Sequence, residues 1–306
     1  MAYGRIYEIT INCATGDTFT ITDADVDFRC TRDSRKEPNE ARLTIWDISA
    51  STQNMIAQPG GVATVAAGYL DEGMCTLFQG EISSAVTVRP AEVYGCEITL
   101  HESLIPYRAS VSSRKFKTGD SLAGAVRQIA GDMGVSCRLS PNAQSLTVAR
   151  PVSGAMSSRD MLDSVCKPAG AGWSLQYQTL QVSAGDALET GAADIRPETG
   201  LIGTPKLKVS TPKKHRGRSR KAKITYQFPP AGSQVDYTGG ARRQIGVIEG
   251  VSFTSLLRGG IDVGSEVMLS SPSLGKGWWV TIGKIEHQFS TRSNQPWTTD
   301  FEGAIR

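Results

Sequence analysis

Over residues 3–107, apolar and polar residues alternate in short runs broken by turn residues, the period-two signature of half-buried strands. Tyr7, Ile9 and Ile11 open the series, and Val26, Phe28 and Cys30 follow. Residues 39–49 place Ala41, Leu43 and Ile45 on one face and Arg42, Thr44 and Trp46 on the other. Further strands are expected over 61–69, 75–79, 80–88 and 94–100, with turns at 71–73 and 89–92 and one short helical turn near 51–56. Such a series predicts a β-barrel or sandwich of about 100 residues, here 1–109.

The period then lengthens to 3.6. Leu122, Val126, Ile129, Ala130 and Met133 share one helical face, with Asp120 or Ser121 as N-cap and Gly134 as the stop. Short strands are expected over 136–139 and 145–149. The pattern recurs: Ser157 or Ser158 caps a helix that buries Met161, Leu162 and Val165, Pro168 and Gly170 end it, and strands follow over 173–178 and 179–184. Two α-β-β units in succession predict one small α+β domain over 110–186.

Alternation returns over 187–306. Ala222, Ile224, Tyr226 and Phe228 alternate with polar neighbours, and strands are expected over 246–254, 266–270, 278–289 and 298–304. The fold class is therefore mainly β with α+β: two β domains flanking a small α+β domain.

Charge and cysteine usage sharpen this picture. The net charge of +3 divides into nine Lys or Arg and no acid over 206–223, against −6 for the remainder, so an electrostatic partner has to be sought locally. The uncharged stretch 48–70 holds Ser49, Gln53, Asn54, Gln58, Pro59 and Gly60, which rules it out as a membrane-spanning helix. Residues 1–13 alternate and lack the apolar core of a secretion signal, which implies folding in a reducing cytoplasm. Cys13, Cys30, Cys75, Cys96, Cys137 and Cys166 form no C-x-x-C pair and have no His at ligand spacing, so reduced, buried thiols and no metal site are expected.

Residues 119–122 spell GDSL, which opens one class of serine esterases. That chemistry needs Ser121 as nucleophile and a His three residues after an Asp, yet His101, His215 and His287 follow Ile98, Pro212 and Lys284 at that spacing. An ordinary helix N-terminus is the better reading of Asp120 and Ser121. The basic run Lys213, Lys214, Arg216, Arg218, Arg220, Lys221 and Lys223 could contact phosphates, but no aromatic residue interleaves it to stack bases. Docking on an acidic protein neighbour fits it better. Trp278 and Trp279 are adjacent on a strand and face opposite sides, so one leaves the local core and becomes a candidate interface anchor, with Trp297 nearby in sequence.

Two sets of residues carry a family resemblance. Asn39, Ala41, Ile45 and Asp47, then the dipeptide Gly68-Tyr69, then Phe78, Gly80 and Ile82 in an F-x-G-x-I pattern, resemble the N-terminal β domain of baseplate hub proteins of contractile-tailed bacteriophages. Residues 261–267, 277–282 and 285–287, with Trp297-Thr298-Thr299, are similar to the C-terminal part of the same family. The resemblance implies two tail-tube-like β-barrel domains per chain and a homotrimer whose six barrels form a pseudo-sixfold ring. It further implies a virion structural protein without cofactor or catalysis, assembled in the host cytoplasm. Its partners would be the tail tube protein, the spike protein and other baseplate proteins, with DNA passing through the lumen unbound. His287 would then be a structural or interface residue, Trp278 or Trp279 an intersubunit anchor, and the basic run a docking surface. The hub of a non-contractile tail, a peptidoglycan hydrolase or GDSL-like esterase, and a nucleic-acid-binding module are the competing readings.

Overall fold

The structure is a computed structural model that describes residues 4–89, 93–210, 234–237, 244–275, 277–292 and 297–305. Its first part runs β1 (Arg5–Asn12), β2 (Thr18–Ile21), β3 (Val26–Asp33), β4 (Glu40–Trp46), α1 (Ala50–Ile56), β5 (Val62–Tyr69), β6 (Gly73–Val88) and β7 (Gly95–His101). The alternation read from the sequence sets the burial: Val26, Phe28 and Cys30 of β3 and Ala41, Leu43 and Ile45 of β4 all point into one core with Ile9, Val65, Phe78 and Ile98. Each such aliphatic or aromatic side chain contributes about 1.5–3 kcal/mol by leaving water.

The expected strands 75–79 and 80–88 are one strand, β6, which pairs with β5 through its first half and with β7 through its second. Gly80 lies where it changes partner, and a Cβ there would sit 2.7 Å from the His101 carbonyl oxygen. A glycine therefore lets the strand bend across the corner without breaking. Gly68 is likewise pressed against the neighbouring chain, its hypothetical Cβ falling 2.1 Å from the Gly73 carbonyl oxygen. These close approaches give two of the family-motif glycines a physical reason.

The middle part contains α2 (Leu104–Ala109), β8 (Val111–Phe116), α3 (Leu122–Met133), β9 (Ser136–Leu139), α4 (Pro141–Ser145), β10 (Val152–Ser157), α5 (Ser158–Cys166), β11 (Gly172–Gln176) and β12 (Thr179–Ser183). Helices α3 and α5 pack their apolar faces together over a core that includes Leu122, Ile129, Leu162, Val165 and Trp173. No strand forms over 145–149: Ser140 caps α4, Pro141 sits in its first turn, and Thr147 makes only an isolated bridge to Ser121. The two α-β-β units are thus unequal.

The last part holds β13 (Glu189–Ile195), β14 (Leu201–Ser210), β15 (Gln234–Tyr237), β16 (Gln244–Leu256), β17 (Ser265–Leu269), β18 (Trp278–Ser290) and β19 (Thr298–Ile305). Its core gathers Val251, Phe253, Val267, Trp278, Val280, Ile285 and Phe301, with Phe253 and Phe301 stacked at 5.1 Å. The strand expected at 222–228 lies outside the described residues. Fourteen described strands belong to one sheet, ordered β14-β16-β19-β18-β3-β4-β7-β6-β5-β1-β2, with β13, β15 and β17 on side branches. The two β parts are fused edge to edge: β18 pairs antiparallel with β3 from Lys284 opposite Asp33 to Ser290 opposite Asp27.

Candidate functional site

Two features arise where the β parts meet: a buried polar junction and a continuous polar sheet face. The junction centres on Arg32, which occupies a core-facing position of β3 and is 1% exposed. Its guanidinium lies 3.7 Å from the Tyr177 ring centroid, and both terminal nitrogens approach Asp262 Oδ1 at 3.3 Å. Glu102, fully buried just after β7, accepts from Asn39 Nδ2 at 2.6 Å and from the Tyr177 backbone N–H. Burial pushes the Glu102 carboxyl up, and the nearby Arg32 charge and the Asn39 hydrogen bond oppose this only in part.

Asn39 is the connecting residue. Its amide also donates to Gln176 Oε1 at 3.0 Å, while its Oδ1 accepts from the Asp33 N–H at 2.9 Å. Gln176 donates back to the Asp33 carbonyl at 2.6 Å. The turn between β11 and β12 thus plugs into the first β part, with Tyr177 and Gln178 both left-handed at φ 47° and 56°. The Tyr177 hydroxyl donates to the Leu77 carbonyl at 3.0 Å. A second tether joins Lys36 to Asp163 of α5, where Trp173 Nε1 also donates to Asp163 Oδ1 at 2.8 Å. Side chains from all three parts therefore converge on one desolvated site, which fixes their relative placement.

The second feature is the outward face of the six adjoining strands β16, β19, β18, β3, β4 and β7. Register places Thr254, Asp300, Glu286, Thr31, Glu40 and His101 in one row across both β parts. The adjacent row holds Leu256, Thr298, Gln288, Arg29, Arg42 and Thr99, and the flanking rows hold Ser252, Glu302, Lys284 and Asp33 on one side and Ser290, Asp27, Thr44 and Glu97 on the other. Apart from Leu256 these positions are polar, whereas most alternate positions of the same strands lie in the cores. Seven are carboxylates and three are cations, and Lys208 of β14 and Arg35 add ion pairs to Glu302 and Asp33 from beside the face. Each cation has a carboxylate partner: Arg29 and Lys284 bond Glu286, and Arg42 meets Glu40 at 3.1 Å. Burial pushes Glu286 up, but the Arg29 hydrogen bond and charge outweigh it and hold the carboxyl below the usual range. Two open grooves, of about 620 and 290 Å³, lie on this face, the larger also lined by Arg35 and Glu37.

The residues singled out from the sequence divide sharply. Trp279 is 42% exposed, while Trp278 is buried in the last core, so the adjacent pair does split between inside and outside. Trp297 is a correction: it is buried, donates to the Ser290 carbonyl at 2.8 Å and packs at 4.8 Å on Phe289, because its chain crosses back over the first core. His287 is also internal, sharing a 2.9 Å hydrogen bond with Thr299, and burial with the neighbouring Arg32 charge pulls its pKa down to about 3. Of these four residues Trp279 alone is exposed in the single chain. Ala41, Ile45, Tyr69, Phe78 and Ile82 are core residues, and Asp47 takes a left-handed turn conformation at φ 55° after β4. Lys213, Lys214, Arg216, Arg218, Arg220, Lys221 and Lys223 lie outside the described residues.

Ser121 caps α3, accepting from the Gly124 N–H at 3.3 Å. All six cysteines carry free thiols; Cys13, Cys30, Cys96 and Cys166 are buried, whereas Cys75 is exposed, contrary to the buried expectation, because it sits near the β5–β6 hairpin tip. Burial pushes the Cys30 thiol up to about 12, so it stays protonated and inert. Among the described residues no His, Cys, Asp and Glu cluster could hold a metal ion, and no helix is long and apolar enough to cross a membrane.

The fold built this way is shared with solved structures of known proteins. The chain is similar to a tail protein from Neisseria meningitidis MC58, with TM-score 0.60 and 12% identity over 99% of this chain and 97% of that one. It is similar in the same way to the 43 kDa tail protein of prophage MuSo2 from Shewanella oneidensis, with TM-score 0.60 and 9% identity over 98% and 100% of the two chains. A chain of the Francisella PdpA–VgrG complex aligns with all of this protein but with 58% of its own length, at TM-score 0.53 and 11% identity. No family model matches the sequence, and no curated protein matches it. The fold expected from the resemblance to phage hub proteins is thus the fold observed.

Proposed function

We propose that this protein is the structural hub of a bacteriophage tail baseplate, a homotrimeric ring that joins the hexameric tail tube to the trimeric spike. The observation that carries the reading is the β18–β3 pairing, which fuses two β parts into one sheet. One chain can then occupy two adjacent positions of a ring, and three chains supply six, the arithmetic needed to match sixfold to threefold symmetry. End-to-end likeness to two tail proteins supports it.

On this reading the units are 1–109, 110–186 and 187–306, and the buried junction holds them at the fixed angle that a ring requires. Trp279 is an intersubunit or partner anchor, and the basic run of 206–223 docks on an acidic neighbour. The tail is contractile, the protein resides in the virion after assembly in the host cytoplasm, and DNA traverses the lumen without specific binding. No catalytic step is assigned: Ser121 caps α3, and His287 is buried against Thr299. Mass photometry of the purified protein mixed with its spike should give three copies per particle. A chain that remains monomeric with both spike and tube present would overturn the proposal.

A further inference from the structure

We infer that the α+β part is a separable body, latched to the β framework by the turn between β11 and β12, and that it lifts off as a unit with its own core intact while the two β parts stay fused. Every contact involved lies within one chain, so the inference stands apart from the hub reading. The apolar clusters divide unequally. Leu257, Phe289 and Trp297 of the last part pack into the first core, whereas the core of the α+β part draws only on residues 107–184 among the described residues. What joins it to the β parts is the polar junction around Arg32 and Glu102, the Lys36–Asp163 tether, and a hydrogen bond from the Gln178 N–H to Ser103 Oγ at 3.1 Å. Apolar surface gains nothing when it returns to water, but Arg32 and Glu102 regain their hydration. Such a contact sets a geometry and still opens more readily than a packed apolar core.

The turn is built for docking rather than for its own hairpin. Gln176 pairs with Thr179, so Tyr177 and Gln178 form a two-residue loop with both φ values left-handed. Asn-Gly fills such a loop with the least strain. Ser103, which accepts from the Gln178 N–H, is left-handed as well, at φ 54°. Three of the four left-handed non-glycine residues among the described residues therefore meet at this contact, the placement expected where local preference is given up for a specific docking. The connections are short joints. Asp186 bonds the Ser140 hydroxyl and the Asn142 N–H within the α+β part, and the Leu188 N–H bonds the Gly264 carbonyl of the last part, which leaves Ala187 between the two bodies. The other connection is α2, which buries none of its residues. Joints of this size absorb a hinge motion.

Hydrogen exchange of the full chain in low urea, read by mass spectrometry at peptides spanning the β11–β12 turn and α3, tests the latch. The Tyr177 and Gln178 amides donate into the β framework, so they exchange when it opens. The account predicts that they exchange faster than the α3 amides and with a clear urea dependence, because lifting a whole body exposes surface. Tyr177→Asn suits a left-handed position but loses the ring contact to Arg32, and should speed that exchange by about tenfold or more while α3 and the β18–β3 seam stay protected. Lys36→Met, outside the turn, should act in the same direction. Turn amides that exchange at the α3 rate with the α3 urea slope would mean release only by global unfolding and would overturn the inference. Urea-independent exchange would reduce the opening to fraying of the turn and overturn it equally, as would rates unchanged in both variants.

Discussion

Replacing Arg32 by Met tests the buried junction without opening a cavity, because the two side chains are similar in length and the site excludes water. In the native chain Arg32 is 1% exposed and Glu102 is 0% exposed, so the Glu102 carboxylate depends on the Arg32 charge and on donors from Asn39 and Tyr177. Removing the cation leaves a buried charge with hydrogen bonds alone, a loss of about 3–5 kcal/mol, within which the cation–π contact to Tyr177 at 3.7 Å accounts for about 1–2 kcal/mol. Cooperative unfolding of a 306-residue chain has an entropy near 0.6 kcal/mol/K, so Tm should fall by about 5–8 °C. Scanning calorimetry measures the shift. Adding Glu102→Gln removes the stranded charge and should restore about 2 kcal/mol or more, a coupling that independent sites do not show. Arg32→Met as stable as wild type, or a double variant no better than the single one, would refute an electrostatic junction.

Protonation supplies a second perturbation. His287 has its folded pKa lowered to about 3 against 6.5 when unfolded, so the unfolded chain binds the extra proton between those values. Stability should therefore fall as pH drops from 6.5 toward 3, by about 1.4 kcal/mol per pH unit from this group. Glu102, pushed up by burial, acts in the opposite sense, losing stability as pH rises above its unfolded value. Denaturant titrations of wild type and His287→Gln across pH 4–7 should show a flatter profile in the variant; parallel profiles would dismiss His287 as the source. Ser121→Ala should destabilise the middle part by about 1 kcal/mol through loss of the α3 cap, and an ester hydrolysis present in wild type and absent in this variant would reverse the non-enzymatic reading. Trp279→Ala should leave the isolated chain within about 0.5 kcal/mol of wild type while weakening ring or partner association in sedimentation. Unchanged association would remove Trp279 from the assembly contacts.

Much of the β framework was legible because alternation survives burial on one face: β1, β3, β4, β5 and β7 fall where the pattern places them. What escaped had no periodic signature. Strand β2 is four residues long, and β6 was divided because its bend at Gly80 interrupts the alternation. Tyr177 and Gln178 take left-handed conformations without a glycine, so the turn that enters the junction carries no composition signal. Arg32 did leave a trace: it continues the inward phase of Val26, Phe28 and Cys30, where an arginine has to be paired or stacked. Its partners come from positions 102, 177 and 262, too distant in sequence for local patterning to join. The polar sheet face was hidden for the same reason, since each strand contributes only an ordinary solvent-facing half and the rows exist only once the register is known.

Electron cryomicroscopy of the protein assembled with its spike tests the central claim most directly. The account predicts three chains in a closed ring, with the two β parts of each joined through the β18–β3 pairing at adjacent positions around it. A single chain per particle, an open filament, or a ring in which the β18–β3 seam is broken would contradict it.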